Sequence, residues 1–158
     1  MKKLWLTLSV WLVAMTAAST GLQAAEYEIG TSGTRMLESK TSSLALKVLV
    51  EAANLGGGEV EIAEVYVPPN FQSAAHVHGI EIMYILQGEL QHIVNGKTQI
   101  LTPGMVAIVR APDAVIHKTG DSGMRALIVW PGGGEIDLLA KQYTERPIEA
   151  PGSREDDR

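Results

Sequence analysis

Residues 44 to 130 alternate between apolar and polar with a period of two, in short runs broken by glycine, proline and asparagine. Successive side chains of a strand point to opposite faces, so this period predicts half-buried β-strands. The clearest are Glu59 to Val67, Glu81 to Gln87, Glu89 to Val94, Thr98 to Leu101, Met105 to Arg110 and Arg125 to Trp130. Ala74 to His78 reads as a shorter strand, and Pro112 to His117 leads into another. Asn95-Gly96 favours a tight hairpin turn, Gly88 and Pro103-Gly104 read as turns, and Pro68-Pro69-Asn70 as a break. Leu44 to Ala53 suits a strand or a short helix; the strand is favoured because Gly56-Gly57-Gly58 then turns it back as a hairpin. Ile136, Leu139, Ala140 and Tyr143 recur at helical spacing and predict a short C-terminal helix packed on the sheet. Many short strands without an internal repeat imply one all-β domain, a closed barrel or a sandwich.

The ends of the chain follow other patterns. Lys2 and Lys3 precede a mostly apolar run from Leu4 to Met15, then small residues as far as Leu22-Gln23-Ala24-Ala25. This is the three-part pattern of a secretory signal peptide, with cleavage expected after Ala24 or Ala25. The apolar run is shorter than the roughly 20 residues of a membrane span, and a retained N-terminal anchor is the alternative. The expected organisation is a signal peptide over 1–24, a loose polar arm with one short strand over 25–43, a barrel with its C-terminal helix over 44–146, and a charged, disordered tail over 147–158. Such a chain is exported to the periplasm or secreted, with no membrane attachment after cleavage. The 134 residues left are enough for a core, and without cysteine no disulfide contributes to it. Loss of the two lysines moves the net charge from −5 to −7. That balance, with no basic stripe, argues against nucleic acid as a partner.

Chemistry concentrates at His76-Val77-His78. On an extended chain these two imidazoles lie on one face, about 6.6 Å apart, and can converge on one ion. Glu81 and His117 would complete a nitrogen–oxygen shell, so three of the four histidines fall in one constellation. Imidazole and carboxylate without thiolate suit one divalent transition metal, among Zn, Mn, Fe, Ni and Cu. The plainer alternative is a set of hydrogen-bonded or surface histidines. Met83, two residues from Glu81 on the same face, is the foremost candidate for a pocket wall; Tyr66, Tyr84, Ile85, Met105 and Trp130 are further apolar candidates. Arg110 could meet a substrate carboxylate or form a surface ion pair. The Gly132-Gly133-Gly134 run lacks the Lys-Ser/Thr of a phosphate loop.

The stretch from His76 to Gly88 resembles the first motif of the cupins, with Glu81 seven residues before the turn glycine. Gly104, Pro112 and His117 are similar to the second motif. The resemblance covers about residues 59 to 130 and implies a jelly-roll barrel, a double-stranded β-helix, around a metal held by His76, His78, Glu81 and His117. Two residues separate His78 from Glu81 where the family has three or four, so Glu81 is either the fourth ligand or a catalytic base beside the ion. In the second motif the Gly104–Pro112 interval is longer than usual, Ala114 replaces a common glycine, and Asp121 replaces the final Asn. His92 shares a strand face with Leu90 and Val94. In a cupin this face looks inward, which makes His92 a supporting or acid–base residue, or a buried histidine bonded to a neighbour.

The resemblance implies an exported metal-dependent enzyme that acts on a small oxygen-rich or aromatic molecule, with a dioxygenase as first expectation. Isomerase, decarboxylase or lyase chemistry suits Mn or Zn. A non-catalytic metal- or ligand-binding module is the second class, and a structural or storage role the third. Cupins commonly pair through strand edges, and a homodimer is expected.

Overall fold

The computed structural model describes Tyr27 and residues 30–148. The predicted signal peptide and most of the predicted tail lie outside the described residues. One eight-stranded antiparallel sheet, in the order β5-β4-β7-β3-β2-β1-β8 with β6 also paired to β4, curls into an all-β jelly roll. Its strands are β1 Arg35–Ser39, β2 Ala45–Val50, β3 Val60–Val67, β4 Ile80–Val94, β5 Lys97–Leu101, β6 Val106–Arg110, β7 Val115–Pro131 and β8 Tyr143–Pro147; the helices are α1 Ala52–Leu55 and α2 Glu135–Ala140.

The period-two pattern has its expected consequence. In β3, Ala63, Val65 and Val67 face the core, and in β7, Ala126, Ile128 and Trp130 do so. Both alternatives for Leu44 to Ala53 are realised in part: β2 runs to Val50, and α1 follows before the glycine run. The C-cap Gly56, at φ 80°, ends this helix.

Four expectations need correction. Gly88 does not end a strand: β4 continues through it to Val94, with register shifts on both sides. Its φ of 78° suits glycine, and a Cβ there would collide with the carbonyl of Gly123 on β7. The 112–117 and 125–130 segments likewise belong to one seventeen-residue strand, β7. Ala74 to His78 is not a strand, but a segment held to β7 by the isolated His76–Val115 bridge. Tyr143 opens an eighth strand instead of closing the helix, because the chain turns at Lys141 and Gln142. β8 is a polar edge strand beside β1, tied to it by the Arg35–Glu145 and Arg146–Glu38 ion pairs. It has no buried apolar row from which to be read.

The β4–β7 ladder frames the interior. Residues 82–88 pair with 124–129, and residues 90–94 pair with 115–119, so His92 lies directly opposite His117. β1, from the expected arm, belongs to the sheet and buries Leu37 completely.

Candidate functional site

Backbone bonds between β7 and the segment before His78 place His76 beside His117. The His76 N–H donates to the Val115 carbonyl (3.0 Å), and the Val115 N–H donates back to His76 (2.8 Å). The Ser73 N–H donates to the His117 carbonyl at 2.9 Å, while the His117 N–H donates to Ser73 Oγ at 3.0 Å. The segment thus runs beside the strand that carries His117. Alternation survives without a strand: Val77 is 53% exposed and His78 only 8%. The three imidazoles meet with ring centroids 4.7 Å (His76–His78), 5.2 Å (His76–His117) and 6.5 Å (His78–His117) apart.

Glu81, from β4, completes the group despite its short spacing. Its Oε2 lies 3.3 Å from His78 Nε2, and its Oε1 lies 3.7 Å from His117 Nε2. Trp130 Nε1 donates to Oε2 at 3.1 Å. This is the role of Trp130, which is buried and also walls the cleft. Met83 lines the cleft as expected, and Ile85 is plain core. Tyr66, Tyr84 and Met105 face outward and do not line it; on the outer side of β4 and β6, Tyr84 stands exposed beside Val106 and close to Ile108. Arg110 is exposed at the end of β6 and makes no ion pair among the described residues.

His92 is fully buried and stacks on His117 at 5.4 Å with 15° between the ring planes. It lies behind His117 and does not line the cleft. The geometry therefore gives it a contact with His117 and none with a molecule in the cleft.

One residue escaped the sequence reading. Glu135 Oε1 lies 3.0 Å from His78 Nδ1. The two are 57 positions apart, and only the closure of α2 over the barrel end brings them together. α2 is anchored there by the buried Glu61, whose Oε2 accepts the Ile136 N–H at 2.9 Å. His76 Nδ1 likewise meets the Ala74 carbonyl at 2.9 Å. In the neutral ring each Nδ1 facing an acceptor carries the proton, which leaves the Nε2 lone pair free.

The electrostatics follow from burial. Burial, reinforced by His76, His92 and His78, holds the His117 pKa down to about 3. Burial also lowers His76 and His92. Burial opposes charge on His78 too, yet its bond to Glu135 and the fields of Glu81 and Glu135 together raise its pKa. Burial raises that of Glu81, against the fields of His78 and the bond from Trp130. In a Glu135→Ala variant the His78 pKa should fall, because the opposing burial persists while the bond and field of Glu135 are lost. Histidine NMR titration reads this directly, and an unchanged value would show that Glu135 does not govern the ring.

Among the described residues, the buried atoms left without a hydrogen-bond partner include His78 Nε2, Glu81 Oε1 and His117 Nε2, gathered around the Glu81 carboxylate. Leaving such groups unsatisfied costs about 1–3 kcal/mol each. Nitrogen and oxygen ligands at ~2.1 Å from one ion stand roughly 3.0 to 4.2 Å apart, a range that both Glu81–imidazole separations meet. Among the described residues no group of three or more His, Cys, Asp or Glu side chains stands in metal-holding geometry as placed.

A small antiparallel β-barrel with an imidazole–carboxylate cluster inside one open end defines the class of protein. No family model and no curated protein matches the chain. Solved structures do. KdgF from Halomonas sp. superposes with a TM-score of 0.55 at 12% identity, over 65% of this chain and 92% of its own. An RmlC-like cupin from Shewanella frigidimarina gives 0.56 at 17%, over 70% and 94%. A Thermotoga maritima protein described as a predicted oxalate decarboxylase gives 0.50 at 22%, over 62% and 91%. The chain has the fold of the cupins.

Proposed function

We propose that this chain is an exported metal-dependent enzyme in which His76, His78, His117 and Glu81 hold one divalent transition ion. The observation that carries this reading is the set of three buried, unpartnered atoms, His78 Nε2, His117 Nε2 and Glu81 Oε1, gathered at the inner end of a cleft. When bound, the ion would polarise a substrate oxygen and, as Fe, Cu or Ni, give access to O2 chemistry.

The chain's own residues supply the rest. Ala74 and Glu135 orient the rings of His76 and His78. Trp130 fixes Glu81 Oε2 and leaves Oε1 to ligate or to take a proton from a substrate hydroxyl. Burial raises the Glu81 pKa and so makes it a stronger base than an exposed carboxylate. Met83, Phe71 and Ile128 line the cleft and exclude water from the reacting end.

A dioxygenase acting on an aromatic diol or flavonol is our first assignment. In oxygen-uptake assays with Fe-, Ni- or Cu-loaded protein, catechols or flavonols should be consumed with uptake of O2. No uptake with any of the three metals would sink the assignment.

A further inference from the structure

The cleft measures about 840 Å3, well within the range of roughly 300–1,000 Å3 typical of small-molecule sites. Its inner end holds the imidazoles and Glu81, and its walls are apolar, with Leu44, Val67, Phe71, Met83, Ile128 and Leu139 among them. Its rim comes from two turns, one joining β1 to β2 and the other joining α2 to β8. Lys40 stands on the first and Lys141 on the second, both exposed and both lining the cleft. Apart from histidine, the ionisable Asp, Glu, Lys and Arg side chains of the lining are only Lys40, Glu81, Glu135 and Lys141. Both carboxylates are committed: Glu81 accepts from Trp130, and Glu135 is bonded to His78. Neither lysine forms an ion pair among the described residues, although the chain carries 18 acidic side chains against 13 basic ones. Two uncommitted cations on adjoining turns beside the Ser39–Tyr143 pair, above low-dielectric walls, concentrate positive potential there.

We propose that the cleft takes an elongated amphipathic anion. Its oxygen donors lie at the imidazole end, its apolar or aromatic body lies along the walls, and a carboxylate or sulfonate is held at the rim by Lys40 and Lys141. The proposal rests on the reading of this cleft as the substrate site and adds the substrate class. A two-carbon diacid leaves most of the cleft empty and does not meet both ends.

Fluorescence titration of the full chain with anilinonaphthalene sulfonate, and with phenylnaphthylamine as its uncharged counterpart, tests this. The sulfonate should bind about tenfold more tightly than the neutral probe, a preference that added salt erodes. The Lys40→Gln/Lys141→Gln double variant should lose about that factor for the sulfonate and keep its affinity for the neutral probe. A Lys97→Gln/Lys118→Gln control, altered at lysines that do not line the cleft, should keep both. Equal sulfonate binding by wild type and the rim variant, or equal loss in the control, would overturn the proposal. Metal content measured on the same preparations keeps the two readings apart. A chain that binds no metal but retains the lysine-dependent preference overturns the metal site alone, and a metal-loaded chain without that preference overturns the substrate class alone.

Discussion

A His76→Ala variant will purify without transition metal, whereas the proposed site predicts one ion per wild-type chain. His76 is the ligand best suited to this experiment. Its ring is only half-buried, and its contribution to the fold comes from backbone bonds to Val115 that alanine retains. Loss of a partner that merely orients a ligand costs about 10–100-fold in metal affinity, and loss of the ligand itself should exceed that. Metal analysis after dialysis reads the stoichiometry. Thermal unfolding supplies a second readout: an ion at a hundred times its Kd stabilises the folded chain by about 2.7 kcal/mol. Wild type should therefore melt several degrees higher with metal than in chelator, while the variant shows no difference. A wild-type chain that holds no metal and melts identically with and without chelator would refute the metal site.

Metal-free wild type will lose stability steadily as the pH falls from about 6.5 toward 3. Burial keeps His117 neutral until about pH 3, whereas in the unfolded chain it takes up a proton near 6.5. His76 and His92 are shifted in the same direction. Below 6.5 the unfolded chain binds more protons than the folded one, and protonation draws the equilibrium toward unfolding. At pH 4, His117 alone accounts for a loss on the order of 3 kcal/mol. His78 works the other way, since its raised pKa stabilises the fold below 6.5 and that stability is lost as the pH rises through its folded value. Glu81, also raised, stabilises below its ordinary carboxylate value and loses this as the pH rises through its folded value. Three histidines oppose these two groups, and the acid limb is expected to fall. Unfolding midpoints of chelator-treated protein between pH 7 and 4 measure it. A His117→Gln variant, which takes up no proton there, should show a flatter slope. A midpoint independent of pH in wild type would contradict the buried, neutral state of His117.

The histidine cluster was legible in part. His76 and His78 share a face because an extended chain alternates, a local property that persists although an isolated bridge, and no strand, holds the segment. Glu81 was harder to place, since its short spacing from His78 left its reach open. The β4–β7 ladder decides it by setting Glu81 next to the Ile82–Val129 pair, within a hydrogen bond of Trp130. His92 was read correctly as inward-facing, yet its place behind His117 depends on the register of two strands and not on its own strand.

Sequence alone determined the all-β class, the Asn95-Gly96 hairpin and the inward faces of the strands, because periodicity and turn chemistry act over a few residues. Tertiary structure alone decided the two long strands running through Gly88 and Gly123, the polar edge strand β8, and the Glu135–His78 bond. It also decided the pairing of Lys40 with Lys141 at one rim. Each of these depends on segments far apart in the chain meeting as the sheet curls, and no local pattern of hydrophobicity encodes such a meeting.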